Sequence, residues 1–146
     1  VEAQKRAEET GLPAAAIEME DGTIVTGKTG DLLGASAAAI MNVLKAYAGI
    51  PHEEKLVSAE SIAPIQQLKT VYLGGHNPRL HTDEVLVALS VLSENDEKCR
   101  KALEQLPKLR GCQVHCTVML SEVDRKIFKK LGIGLTCEPV LKTKTR

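Results

Sequence analysis

Aromatic side chains are nearly missing from this sequence: its 146 residues include no Trp, one Phe (Phe128) and two Tyr (Tyr47 and Tyr72). Without planar rings there is no platform on which bases stack. An excess of one charge is missing as well, since nineteen Lys and Arg balance nineteen Asp and Glu. Nucleic acid and anionic membrane surfaces are gripped through a basic excess, so neither is an expected partner. No apolar run approaches the ~20 residues of a membrane-spanning helix, and no charged-then-apolar leader opens the chain, which gives the expectation of a cytoplasmic protein. The four cysteines, Cys99, Cys112, Cys116 and Cys137, contain no C-x-x-C pair, the spacing of redox and zinc sites. Cys99 and Cys137 lie inside apolar patterns and read as small buried residues. Cys112 and Cys116 fall on one face of an expected strand with His115 on the other, and no metal site is expected there.

What is present is an alternation of short β-type and helical patterns in a length that fits one domain. Glu2 to Glu9 reads as the tail of an upstream helix, closed by Gly11 and Pro13. Residues 1–12 are therefore expected to be linker and 13–146 a single α/β domain, the C-terminal part of a longer protein, since the chain starts at Val1. Ala15, Ile17 and Met19 alternate as a strand does. Asp21-Gly22 is a hairpin turn signal, and the β-branched run Thr23 to Thr26 is the return strand. After a glycine-rich loop (27–34), Ala37, Ile40, Met41, Leu44 and Ala48 form a helical stripe. Its nearly all-apolar character, broken by Asn42 and Lys45, suggests surface for another domain or subunit. Lys55 to Val57 is a short strand candidate. Further helices carry Ile62, Ile65 and Leu68; then Val85, Leu86, Leu89 and Leu92, with Thr82 as N-cap; then Cys99, Ala102, Leu103 and Leu106. Cys112 to Met119 reads as a strand, Ser121 caps a helix stopped at Gly132, and Ile133 to Val140 is the last strand.

This order predicts an α/β fold: a three-layer sandwich with a mixed sheet, an N-terminal hairpin then parallel strands, and helices on both faces. Its topology resembles the cytidine-deaminase-like arrangement. Deaminases place zinc ligands and a Glu at the starts of their core helices. The corresponding places here read Ala35-Ser36-Ala37-Ala38-Ala39 and Ser58-Ala59-Glu60-Ser61, so the zinc motif is absent and deaminase chemistry is rejected.

Two polar loops invite a functional reading. Gly22-Thr-Ile-Val-Thr-Gly27-Lys28-Thr29 satisfies the phosphate-loop pattern G-x-x-x-x-G-K-[ST]. A genuine phosphate loop needs a compact turn and a helix starting at the Lys. Thr-Ile-Val-Thr prefers extended backbone, and the helical pattern begins well past Lys28, so that reading is rejected too. The stretch from Gly74 to Glu84 gathers His76, Asn77, Arg79, His81, Thr82 and Asp83 before a helix start. Helix N-termini attract anions and Arg clamps phosphate or carboxylate. If this loop meets the one carrying Lys28 and Thr29, the two could share an anionic small molecule. The plain alternative is that the polar groups serve helix capping. A metal site of His76, His81 and Asp83 has no geometric precedent in its spacing.

Several strings carry a wider resemblance. They are Pro13-Ala-Ala-Ala-Ile-Glu, Asp21-Gly-Thr-Ile-Val-Thr-Gly-Lys-Thr, Asp31-Leu-Leu-Gly-Ala-Ser, Tyr72-Leu-Gly-Gly-His-Asn-Pro-Arg-Leu-His-Thr-Asp-Glu, Gln105-Leu-Pro-Lys-Leu-Arg-Gly-Cys and Leu135-Thr-Cys-Glu-Pro-Val. Together they resemble the C-terminal domain of the bacterial family called domain of unknown function 1846. The resemblance implies a parent chain several times longer, upstream domains as packing partners and a deaminase-like α/β fold. It brings no catalytic residue set and no cofactor. The expectation is thus a domain that lends its 76–84 loop to an anion site, or else a structural domain that supports a homo-oligomer. No complete catalytic constellation is visible, which leaves enzyme activity undecided.

Overall fold

In a computed structural model the described residues are 14–116 and 121–137. Four strands, β1 (Ala14–Glu18), β2 (Ile24–Lys28), β3 (Gln113–Cys116) and β4 (Gly134–Cys137), form one sheet in the order β2-β1-β3-β4. The Asp21-Gly22 turn closes the β1–β2 hairpin as expected. Gly22 adopts φ +89° and the Asp21 carboxylate accepts the Thr23 amide at 2.9 Å. β1 is antiparallel to β2, with Ile17 opposite Val25, and also antiparallel to β3, with Ile17 opposite Val114. Only β3 and β4 pair in parallel, so the expected parallel pairing starts one strand after the hairpin's neighbour. The sheet is mixed, and the fold is α/β.

Among the described residues five α-helices accompany it: α1 (Ala35–Ala48), α2 (Ala59–Gln67), α3 (Thr82–Leu92), α4 (Glu97–Leu103) and α5 (Glu122–Leu131). β2, β3 and β4 point the same way. α1 packs against β1 and β2, and α5 against β4. The core runs from Ala15, Ile17 and Met19 of the sheet to Ile40, Leu44, Leu89 and Phe128 of the helices. Glu18, Lys28 and Gln113 are exposed. Ala16, on the same sheet face as Glu18, is 1% exposed, so the middle of that face is buried as well. The expected helix at Glu2 to Glu9 lies outside the described residues, as do the ends of the last two expected strands.

Small residues let α1 sit close to the sheet. A Cβ on Gly27 would lie 2.4 Å from the Ala39 nitrogen and 2.8 Å from its Cα. Gly27 is therefore a strand residue paired with Ala15, and α1 does not start until Ala35. The P-loop-like string is a strand, as its β-branched residues require. Nine of the fourteen residues of α1 are buried, so most of this helix serves the domain's own core.

Three local expectations are corrected. Lys55 to Val57 is not a strand: Leu56 and Val57 are both buried and insert into the core from an irregular segment. The N-cap of α3 is His81, and Thr82 is the first helical residue. Leu106 belongs to a 3-10 turn (Leu106–Leu109) that follows α4, because Pro107 cannot continue the helix. Other helix ends are as read. Ser121 accepts the Asp124 amide at 3.2 Å, and Gly132 closes α5 at φ +81°.

Cys99 and Cys112 are buried free thiols; the side chains of Cys116 and Cys137 lie outside those described. Burial, reinforced by Asp96, pushes the Cys99 thiol up to about 11. The thiolate is the reactive form, so Cys99 should stay unmodified by maleimide at pH 8 in the native protein and react on denaturation. Peptide-level mass spectrometry checks this, and rapid native labelling would contradict the burial.

Candidate functional site

The two polar loops meet. Leu33 and Leu80 form a parallel bridge, the Leu80 amide donates to Leu32 O at 2.8 Å and the Gly34 amide to Leu80 O at 3.2 Å. Arg79 Nε donates to Gly30 O. The loop after Lys28 and the loop carrying Arg79 are thus joined backbone to backbone.

Several polar groups of the second loop bond within their own scaffold. Asn77 accepts the Arg79 amide at 3.1 Å in an Asx turn. Glu84 accepts the His81 amide at 2.8 Å, and the His81 Nδ1 stands 3.5 Å from the same carboxylate. Asp83 accepts the Glu84 amide at 2.8 Å. Thr82 is fully buried and gives both its hydroxyl (2.6 Å) and its amide (3.0 Å) to Asp124 of α5. His76 is exposed. His76, His81 and Asp83 do not converge as a metal site; among the described residues no three His, Cys, Asp or Glu side chains do.

Beneath the loop lies Lys69, a residue the sequence reading missed. Its ammonium donates to Arg79 O and pairs with Glu84 at 2.7 Å. Burial by itself would raise Glu84, but the His81 amide and the Lys69 ammonium outweigh it and hold the carboxyl below its usual range. The loop is a braced unit.

Beside this brace is a cleft of about 230 Å³. Three lysines line it, Lys28 at the end of β2, Lys45 in α1 and Lys55 in the following segment, against one acidic residue, Asp31. Leu32, Leu33, Met41, Leu56 and Val57 supply apolar wall, and Asn42 adds an amide tied to Thr26 O at 2.8 Å. No aromatic side chain lines it. Lys45 is 7% exposed, and its ammonium donates to the carbonyls of His52 (2.8 Å) and Glu54 (3.0 Å). Burial lowers its pKa from the ordinary 10.5, partly offset by the Glu53 carboxylate. Of the expected site residues, Lys28 lines this cleft, Arg79 braces its rim through Gly30, and Thr29 lies half-buried next to it. His76, Asn77, His81, Thr82 and Asp83 do not line it. The signal for Lys45 was its place, with Asn42, as a polar interruption of an apolar helix; nothing in sequence singles out Lys55.

The fold and cleft define a small α/β domain with a basic, non-aromatic recess. A family described as "Domain of unknown function DUF1846, C-terminal" matches residues 1–146, and the chain belongs to that family. Curated relatives carry the name UPF0371 protein. One from Corynebacterium aurimucosum is 56% identical over 143 residues, 98% of this chain and 29% of the relative. One from Corynebacterium glutamicum is 58% identical over 132 residues, 90% of this chain and 27% of the relative. One from Streptococcus uberis is 44% identical over 138 residues, 94% of this chain and 28% of the relative. The chain thus spans less than a third of the length of these relatives. Among the described residues no helix is long and apolar enough to cross a membrane.

Proposed function

We propose that this domain, acting as one unit over 13–146 within a longer cytoplasmic polypeptide, supplies a binding cleft for a small anionic molecule with an apolar body. The observation that carries the reading is Lys45: a buried lysine in the wall of a cleft that Lys28 and Lys55 also line, with two of its three donors engaged by carbonyls. An anion placed there restores the charged form that burial disfavours, in surroundings where Coulombic attraction exceeds that in water. The apolar wall favours an aliphatic acid, and the lack of rings disfavours a nucleobase. Arg79 acts by holding Gly30 at the rim. His81, Thr82 and Asp83 serve the start of α3, half-buried Thr29 adjoins the cleft, and His76 and Asn77 are exposed, where a larger ligand would meet them. The strand order supports a kinship with deaminase-like folds, without their zinc chemistry. A second reading, a structural or oligomerisation domain with no ligand of its own, is favoured by the internal satisfaction of the 76–84 loop.

Thermal shift in the presence of butyrate, phosphate, a phosphosugar and a nucleotide separates them. A ligand at a hundred times its dissociation constant adds about 2.7 kcal/mol, several degrees at this size. Butyrate should raise Tm, Lys45→Gln and Lys55→Gln should remove most of that rise, and the nucleotide should do no better than phosphate. Because the lowered Lys45 pKa lies under 10.5, affinity should begin to fall with rising pH before an ordinary lysine titrates. A rise that survives Lys45→Gln, or silence across the panel, sinks the anion reading and leaves the structural one.

A further inference from the structure

The exposed apolar surface is concentrated in one short stretch. Leu68, Val71, Tyr72 and Leu73 are 49%, 67%, 72% and 72% exposed, whereas the other exposed large hydrophobics are spread over β2, α3 and α5. The stretch is a π-turn, Leu68–Tyr72, closed by the Leu73 amide on Leu68 O at 2.9 Å. It is held firmly. Lys69 is drawn inward to Glu84 and Arg79 O, the Gly75 amide donates to Lys69 O at 2.8 Å, and the Thr70 hydroxyl to Gln66 O at 2.9 Å. The wide turn sends Lys69 in and its neighbours out. From Thr70 to Gly75 there is no charge at all.

We propose that this patch is the seat on which another part of the same polypeptide packs. Its chemistry is that of a permanent contact, with charge depleted and a Tyr among its side chains, and its rigidity removes the ordering cost of docking. Four side chains fall far short of the roughly 20–30 residues a side of a stable free-standing dimer. A tethered segment needs much less, because linkage gives it a high effective concentration. Such a segment exists in chains of the relatives' length, of which this domain is 27–29%. This inference is independent of the anion cleft.

Hydroxyl-radical footprinting of the full-length polypeptide tests it without any substitution. Tyr72 and Leu73 should be oxidised at least about fivefold more slowly in the native chain than in the unfolded one, at every protein concentration, with exposed His52 as the internal reference. Oxidation as fast as in the unfolded chain would mean that nothing covers the patch. Protection that appears only as sedimentation reports association would assign it to a second copy. Either result overturns the proposal.

Discussion

Gly27→Ala is expected to destabilise the protein by about 3 kcal/mol, the upper part of the range for forcing a methyl group into a close-packed interior. The new Cβ would meet the Ala39 nitrogen, the Ala39 Cα and the Ala38 carbonyl carbon at 2.4, 2.8 and 2.9 Å. All three are backbone atoms of α1, so relief requires moving the whole helix off β1 and β2. Gly22→Ala is the matched control. Its Cβ meets nothing within 4 Å, but φ is +89°, and the left-handed backbone alone costs about 1–2 kcal/mol. Urea unfolding of both variants orders the effects. If Gly27→Ala costs no more than Gly22→Ala, the close seating of α1 on the sheet is wrong.

Asp124→Ala is the second large effect, with an expected loss of about 3 kcal/mol. The Asp124 carboxylate is nearly buried, lies in the first turn of α5, and accepts two hydrogen bonds from fully buried Thr82 at the start of α3. Removing it strands a buried hydroxyl and a helix-terminal amide together, and it removes negative charge from the N-termini of two helices. Asp124→Asn keeps an acceptor and should lose much less. Thr82→Val removes only the hydroxyl, so a cycle of Thr82→Val with Asp124→Ala should be non-additive, the double variant costing less than the sum. Additive losses would show that the two side chains do not share their stabilisation.

These two sites also mark where sequence reading succeeds and where it stops. The Asp21-Gly22 turn, the Ser121 cap and the Gly132 stop are local chemistry, complete within a few residues, and each was legible. Thr82 was not. A Thr at a helix start looks like an N-cap by residue type, yet its acceptor is 42 residues away, and no local window contains it. The same limit applies to the cleft. Lys28, Lys45 and Lys55 come from a strand end, a helix and an irregular segment, so their convergence is a property of the fold. Arg79 and its loop were legible as a polar cluster. What could not be read was that those groups, apart from exposed His76 and Asn77, are taken up in bracing rather than facing a recess. The apolar α1 suggested a contact surface; most of α1 is buried, and the longest stretch of exposed large hydrophobics is instead Leu68 to Leu73. There a helical stripe would have turned Leu68 inward, and the wider π-turn turns the stretch outward instead.

The most direct measurement is a titration of the isotope-labelled chain with butyrate, followed through its backbone amide resonances. The account predicts saturable shifts grouped at Gly30 to Leu33, Ala38 to Lys45 and Lys55 to Val57, absent in Lys45→Gln. Shifts grouped at His76 to Glu84 with the cleft silent, or no saturable shifts at all, would contradict it.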